Sequence, residues 1–247
     1  MMGNVGLHGL LRYFGAMFEA RELPIVLING AVSADGKLAL ENRSLIQFSS
    51  SRDRWLVFQM RARTDAVLSG AETVETFNID LSAGPPQCRA ERERKGLPAE
   101  PLRILASQDG KITREARIFK KPVSPVIVLT TRHALRRCAE KLRGLATVKA
   151  FGKNKLNFPS AFRWLRDELG IKRILCEGGG ETNAALLRAG VVDEIHVTVC
   201  PLVLCGRNAP TLCDGQGVNS LALAPRLKLK SAKILKNELF LVYRVLA

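Results

Sequence analysis

The sequence lacks the features that mark membrane, disulfide-stapled and metal-binding proteins. No apolar run approaches the roughly 20 residues that a membrane-spanning helix requires. The six cysteines include no C-x-x-C pair, and the three histidines do not have the spacing of metal ligands. We therefore expect no membrane span and no metal site. Free thiols in the reducing cytoplasm are the expected state of the cysteines.

Acidic residues are too few to balance the basic ones. Lys and Arg number 38 against 23 Asp and Glu, which gives a net charge of +15. Such a surplus can indicate a nucleic-acid-binding protein. However, the basic residues are scattered, and no nucleic-acid motif or aromatic-rich basic surface is recognisable. A solvated basic surface, or attraction of small phosphorylated ligands, explains the charge as well, so we expect no nucleic-acid partner.

The order of apolar segments predicts an α/β domain with a mixed sheet flanked by helices. Short apolar runs alternate with helical patterns, and two segments of period two, at 227–235 and 239–246, follow a turn-rich stretch. A tight turn at 236–238 makes these last two strands antiparallel. The preceding strands are predicted at 24–31, 65–70, 102–107, 126–130, 147–151, 174–176 and 194–200.

The length of 247 residues fits one domain, which we place at 23–247 after an N-terminal arm at 1–22. Residues 82–101 are rich in charge, proline and glycine, and they are predicted to form an inserted, mobile charged loop. Serines at 49–51 are expected to cap a helix that reaches about residue 63, and Ser160 is expected to cap a helix that ends at Leu169.

A glycine turn at 177–183 is the strongest local signal. It follows a short apolar strand and precedes a helix predicted from Thr182 to Ala189. Glycines let a ligand approach the backbone, and the first turn of a helix offers unpaired N–H groups to an anion. The turn therefore suits a pyrophosphate, although a plain strand-to-helix connection would have the same pattern.

Four motifs and a fifth segment occur in order along the chain: Ala-Val-Ser-Ala-Asp-Gly-Lys at 31–37, Arg-Ala-Arg-Thr-Asp-Ala-Val-Leu at 61–68, Glu-Thr-Val at 72–74, Glu-Gly-Gly-Gly at 177–180 and Gly-Val-Val-Asp-Glu at 190–194. With these motifs the chain resembles the pyrimidine reductase of riboflavin biosynthesis, the reductase half of the bifunctional deaminase–reductase. The likeness covers about residues 23–247. The zinc signature of the deaminase half, H-x-E with P-C-x-x-C, is not in the sequence.

The resemblance implies a dihydrofolate-reductase-like fold, NADPH as cofactor, and a homodimer. It implies reduction of the ribosyl group of a phosphorylated pyrimidine ribosylamine, of the 5-amino-6-(5-phosphoribosylamino)uracil type, to a ribityl chain. By motif, NADPH would contact Ala31, Thr73, Ser107, Gly178, Gly179, Gly180, Thr182 and Asn183.

The resemblance also assigns residues to the substrate. Arg61 would meet it, although a helix-end arginine can simply be solvated, and Glu177 would accept hydrogen bonds from the pyrimidine N–H edge. Asp35 is the candidate catalytic proton donor, and it could equally hold the Asp-Gly turn. Ser107 is likewise open between a cofactor contact and a turn-forming role.

Two departures lie where the family binds substrate. Residues 75–80 lack the family's proline and the arginine that follows it, and 45–49 lack a tryptophan common there. We hypothesise that Arg89 or Arg92 replaces the missing arginine at the substrate phosphate. Two alternatives stay open: a reductase of the same fold that acts on another pterin or pyrimidine, and a nonenzymatic basic protein that binds nucleic acid.

Overall fold

The computed structural model describes residues 22–44 and 47–246. The predicted N-terminal arm, apart from Glu22, lies outside the described residues. Residues 45 and 46, within the segment that lacks the tryptophan, also lie outside them.

The described residues form one sheet of nine strands. The strands are β1 (Ile25–Ser33), β2 (Ala66–Gly70), β3 (Leu102–Ala106), β4 (Val126–Thr130), β5 (Thr147–Ala150), β6 (Arg173–Cys176), β7 (Glu194–Cys200), β8 (Arg226–Leu235) and β9 (Glu238–Leu246). Their order across the sheet is β5-β4-β3-β2-β6-β1-β7-β9-β8. The first seven strands in this order, β5, β4, β3, β2, β6, β1 and β7, pair in parallel with their neighbours. Strand β9 pairs antiparallel with both β7 and β8.

Helices within the described residues cover the parallel part of the sheet, and a short 3₁₀ turn (Leu221–Leu223) precedes β8. The helices are α1 (Ser51–Arg61), α2 (Ala71–Thr76), α3 (Pro86–Arg94), α4 (Arg117–Lys120), α5 (Arg132–Lys141), α6 (Phe158–Leu169) and α7 (Gly180–Arg188). Among the described residues, no helix combines the length and the apolar character that crossing a bilayer demands.

Both faces of the parallel sheet are buried, which explains the continuous apolar runs of its strands. Successive side chains of a strand lie on opposite faces. Accordingly Leu68 belongs to one hydrophobic cluster, with Phe162 of α6, whereas its neighbour Val67 belongs to the other, with Leu142 after α5. The predicted α/β sheet with antiparallel C-terminal strands is confirmed, and the predicted strand limits agree within about two residues.

Two helix starts differ from the predictions. Helix α6 is capped by Asn157, whose side chain accepts a hydrogen bond from the backbone N–H of Ser160 at 3.0 Å, so Ser160 is not the cap. Helix α7 begins at Gly180, two residues before the predicted start, because Gly179 takes the cap position.

The prediction of a loop at 82–101 was wrong, because the segment contains α3, which has proline in its first turn. Arg92 on α3 is fully buried. Its guanidinium donates to the carbonyl oxygens of Pro98 at 2.7 Å and of Arg61 and Thr64 at 2.6 Å each. Nε and Nη1 of Arg92 are thus bound to the backbone, its buried Nη2 has no hydrogen-bond partner among the described residues, and Arg92 does not line the cleft described below. Contact of Arg92 with the substrate phosphate stays a prediction. Arg89 donates to Gly84 and Glu100 and lies outside the cleft described below.

Candidate active site

A cleft of about 1260 Å³ opens where β1, β2, β3 and β6 end. In parallel α/β sheets the carboxyl ends of the strands are the usual place for a ligand. The cleft continues past the starts of α2 and α7 and along the segment before α1. Its volume exceeds the about 300–1,000 Å³ of an ordinary ligand pocket, so it has room for two ligands.

Most of the residues that the sequence singled out come together in this cleft. Arg61, Asp35 and Gly178 do not contribute to its lining. The predicted residues that line it are Ala31, Thr73, Ser107, Glu177, Gly179, Gly180, Thr182 and Asn183.

Close packing requires the first glycines of the turn. A Cβ atom on Gly178 would lie 2.7 Å from the backbone nitrogen of Gly70, at the end of β2. Gly179 has φ 59° and ψ 146°, a conformation that other residues rarely adopt, and its Cβ would lie 2.5 Å from Thr73 Oγ1. The turn after β6 thus rests directly on the end of β2 and the first residues of α2. This contact accounts for the glycines without a ligand, and it also brings Thr73 to the same wall of the cleft.

The first turn of α7 has no side-chain cap, because Gly179 at the cap position has no side chain, and α7 is nine residues long. Its N–H groups and the positive end of the helix dipole favour an anion such as a phosphate group. Two carboxylates act against this preference: Glu181 belongs to the same turn, and Asp214 Oδ2 lies so close that a Cβ on Gly180 would clash with it.

Asn183 is held by the protein itself. Its Nδ2 donates to the carbonyl of Leu212 at 2.9 Å, and its Oδ1 accepts from Cys176 Sγ at 3.4 Å. Because Asn183 is buried and both ends of its amide are engaged, its side chain fixes the loop around Leu212 against α7. Direct contact of this amide with pyrophosphate stays a prediction.

Glu177 and Arg61 form a buried, two-pronged ion pair. Arg61 Nε donates to Glu177 Oε1 and Arg61 Nη2 to Glu177 Oε2, each at 2.6 Å, while Nη1 donates to the carbonyl of Ser82. Burial alone would lower the pKa of Arg61, but the charge and hydrogen bonds of Glu177, together with the charges of Asp80 and Glu100, raise it. Glu177 lines the cleft and Arg61 stands behind it, so Arg61 orients Glu177 and its contact with a substrate stays a prediction.

Asp35 holds a turn. Its carboxylate accepts hydrogen bonds from Ser33 Oγ at 2.6 Å and from the backbone N–H groups of Leu204 and Cys205 at 3.0 and 2.9 Å. The bond from Ser33, followed by the one from Leu204, lowers the pKa of Asp35 to about 2. A carboxyl group with this pKa is ionised at neutral pH and carries no proton to donate. The contacts favour the turn-holding role that the sequence left open.

Some residues of the cleft gave no sequence signal. Arg43 has a positive φ of 55° and pairs with Glu72 of α2 across the cleft. No local pattern in the sequence points to this pair, because it joins segments 29 residues apart. The basic residues that line the cleft, and that could meet ligand phosphates, are Arg43, Lys111, Arg117 and Arg188.

Residues 24–241 match the family described as the RibD C-terminal domain. The chain is 30% identical over 193 residues to the 2,5-diamino-6-ribosylamino-4(3H)-pyrimidinone 5′-phosphate reductase of Archaeoglobus fulgidus, which covers 78% of this chain and 87% of the relative. It is also 30% identical over 229 residues to the protein of the same name in Aquifex aeolicus, with 91% of this chain and 97% of the relative covered.

Solved structures share the fold. A pyrimidine reductase-like protein of Corynebacterium diphtheriae has a TM-score of 0.75 at 22% identity and covers 91% of this chain and 92% of its own. The RibD protein of Acinetobacter baumannii also has a TM-score of 0.75, at 20% identity, with 97% of this chain but 65% of that chain covered. The family match spans most of the described fold, including the cleft and the glycine turn, and confirms the resemblance drawn from the motifs. The chain belongs to the RibD C-terminal domain family.

Proposed function

We propose that the chain is an NADPH-dependent reductase of riboflavin biosynthesis. It converts the ribosyl group of a phosphorylated ribosylaminopyrimidine, such as 5-amino-6-(5-phosphoribosylamino)uracil or its 2,5-diamino counterpart, into a ribityl chain. The observation that carries the proposal is the glycine turn, which lines the cleft at the N-terminus of α7. The chain also aligns over most of its length with relatives named 2,5-diamino-6-ribosylamino-4(3H)-pyrimidinone 5′-phosphate reductase.

The fit of a dinucleotide rests on space and charge. A Cβ at Gly179 would occupy the space beside Thr73 that the absence of a side chain leaves open. The N-terminus of α7, which has no side-chain cap, lies on the same cleft. Ser107, Lys111 and Arg117 line another part of it, where the hydroxyl and the two cations suit the ribose and the 2′-phosphate that distinguishes NADPH. When bound, the reduced nicotinamide supplies a hydride.

The protein's own groups position the pyrimidine. Glu177 is fixed by Arg61, so its carboxylate has one orientation toward the cleft. Each carboxylate oxygen has a second lone pair, and together they can accept from two neighbouring N–H groups of a pyrimidine edge. Burial of this pair keeps water from competing for the same lone pairs.

A second candidate is a reductase of the same family that acts on another pyrimidine or pterin. It is favoured by the absence of an arginine from residues 75–80, of which 75–79 line the cleft together with Arg43. Nucleic-acid binding by a nonenzymatic protein is less well supported, because the cleft rim carries acidic as well as basic residues.

We further propose a cytoplasmic homodimer. All six cysteines are free, and four of them are buried, which suits a reducing compartment. The outer strand β8 and the turn before it expose large apolar side chains, among them Leu221 at 76% and Ile234 at 78% exposure. A second copy could cover this surface. Light scattering that gives the mass of a monomer at micromolar concentration would refute the dimer.

Stopped-flow absorbance of NADPH, with the diamino and the uracil substrates compared, tests the function. We expect stoichiometric oxidation of NADPH with one of them and formation of the ribityl product by mass spectrometry. Oxidation with neither, together with NADPH binding, would favour the second candidate. Salt-sensitive RNA binding without NADPH binding would favour the nonenzymatic one.

A further inference from the structure

Asp53 is a buried carboxyl group that helix capping does not explain. In a capping box, the acid three residues after the cap accepts a hydrogen bond from the cap's own backbone N–H. Ser50 caps α1 by accepting from the N–H of Asp53 at 3.2 Å. The N–H of Ser50 donates instead to Glu238 Oε1 of β9, at 2.7 Å. Glu238 therefore replaces Asp53 in the box, and the Asp53 side chain is left for another purpose.

Asp53 lies one hydroxyl group away from the cleft. Its side chain is 4% exposed, and its Oδ1 has no hydrogen-bond partner. The hydroxyls of Thr198 on β7 and of Ser49 before α1 are its hydrogen-bonding neighbours. Ser49 and Ala31 both line the cleft, and Ala31 pairs with Thr198 in the sheet. A chain of polar groups thus runs from the buried carboxyl to the space where a substrate can bind.

The groups around Asp53 favour its protonated form. Burial is the largest influence and raises its pKa, and the nearby charge of Glu238 on β9 acts in the same direction. The hydroxyls and Arg54 on α1 act oppositely but do not outweigh them. Cys200 of β7, whose own pKa is raised to about 12, stays a neutral thiol there. The other described carboxyl groups with a shifted pKa all have it lowered: Asp35, Asp80, Glu91, Asp109 and Glu194.

We propose that Asp53 supplies, through the Ser49 hydroxyl, the proton that the reduction consumes. This inference rests on the proposed reductase function. The C1′–O4′ bond of the ribosylamine breaks as the nitrogen lone pair forms a C=N bond to C1′. The electron pair left on O4′ takes a proton from Ser49 Oγ, which takes the Asp53 proton. C1′ then accepts the hydride with its two electrons, and the C=N bond becomes a secondary amine. Water reprotonates the Asp53 carboxylate before the next turnover.

Asp53 acts on the substrate only through Ser49, to which it donates a proton. The experiment must therefore distinguish this proton transfer from a purely structural role of Asp53. Single-turnover hydride transfer is measured against pH in the parent and in Asp53→Asn, Ser49→Ala and Ser49→Thr. We expect the parent rate to fall as pH rises through the pKa of Asp53. Asp53→Asn and Ser49→Ala should be about 10²-fold slower at neutral pH, the lower end of general acid catalysis. Asp53→Asn should also lose the pH dependence, while Ser49→Thr, which keeps a hydroxyl group, should transfer hydride clearly faster than Ser49→Ala.

Ser51→Ala is the matched control, because it removes an exposed hydroxyl two residues from Ser49 and should leave the rate unchanged. Parent rates and an unchanged pH profile in Asp53→Asn or in Ser49→Ala would overturn the relay. If Asp53→Asn fails to fold, the comparison of Ser49→Ala with Ser49→Thr decides whether the relay operates.

Infrared titration gives a readout without turnover: a protonated carboxyl band at neutral pH should be present in the parent and missing in Asp53→Asn. Its absence from the parent would overturn the relay, whereas a parent that has the band but transfers no hydride would overturn the proposed function alone.

Discussion

Arg61 and Glu177 join the end of α1 to the end of β6 through two hydrogen bonds of 2.6 Å each. Both side chains are less than one tenth exposed. A buried charge that loses its partner is costly, by about 3–5 kcal/mol. The pair therefore serves two purposes, since it holds the helix against the sheet and fixes the carboxylate that we assign to the pyrimidine.

We expect Glu177→Gln to lower the free energy of unfolding by about 3–5 kcal/mol and to raise KM for the substrate, because Arg61 stays buried without its counter-charge. Glu91→Gln is the control. Glu91 also forms ion pairs, with Arg63 at 3.3 Å and with Lys95 at 2.7 Å, but these lie near the surface, so their loss should cost less than about 1 kcal/mol. Denaturant unfolding and steady-state kinetics measure both. Equal costs for the two variants would contradict the special role of the buried pair.

Gly179→Val should weaken NADPH binding. The branched side chain would enter the space beside Thr73 and strain a backbone at φ 59°, a cost of about 1–3 kcal/mol. We expect an affinity loss of about tenfold or more by calorimetry, equivalent to about 1.4 kcal/mol. Gly190→Val is matched to it, since Gly190 has φ 65°, open space around its Cβ position and no part in the cleft lining. That variant should lose stability and keep its NADPH affinity. Unchanged affinity in Gly179→Val would remove the phosphate site from this turn.

Asp35→Asn distinguishes a turn residue from a proton donor. We expect its single-turnover hydride transfer to fall by far less than the about 10²-fold that loss of a general acid causes. The variant should instead change acid stability. The pKa of Asp35 is lowered to about 2 in the folded protein, so its stabilising effect is present above the unfolded pKa and is lost as pH falls from about 4 to 2. Unfolding midpoints measured across that range should converge for parent and variant at the lowest pH. A 100-fold slower transfer with unchanged acid stability would restore the catalytic role.

Arg92→Met tests whether α3 is structural. The substitution fills similar space and leaves three carbonyl oxygens without their donor, each unsatisfied group being worth about 1–3 kcal/mol. We expect a loss of about 3 kcal/mol or more in the free energy of unfolding, with KM for the substrate unchanged. Arg89→Met, at a half-exposed arginine of the same helix, should be nearly neutral. If KM rises in Arg92→Met without a loss of stability, the arginine reaches the substrate after all.

The fold was predictable because its strands are continuous apolar runs with clear breaks, and the C-terminal strands alternate with period two. The glycine turn was predictable for the same local reason. The burial of Arg92 was not predictable, because a run of charged residues ordinarily predicts solvent exposure. Two of the three carbonyls that bind its guanidinium, those of Arg61 and Thr64, are remote in sequence. The burial of Asp53 was not predicted for the same reason, because its environment depends on Glu238, which lies 185 residues later in the chain. Contacts between residues so far apart in the chain produce no periodic pattern in the sequence.

The contact between the end of β2 and the turn after β6 has a consequence for variation of this protein. A Cβ at Gly70 would lie 2.7 Å from Thr182 Oγ1, and one at Gly178 would lie 2.7 Å from the nitrogen of Gly70. Positions 70 and 182 therefore cannot be chosen independently. In a combinatorial library we expect alanine at position 70 to be recovered together with glycine or alanine at position 182. Position 178 should accept only glycine, because a Cβ there would clash with backbone atoms, which no second substitution can remove. A redesign of the proposed cofactor preference should accordingly change Lys111 and Arg117, which we assign to the 2′-phosphate, and leave positions 70, 178 and 182 unchanged.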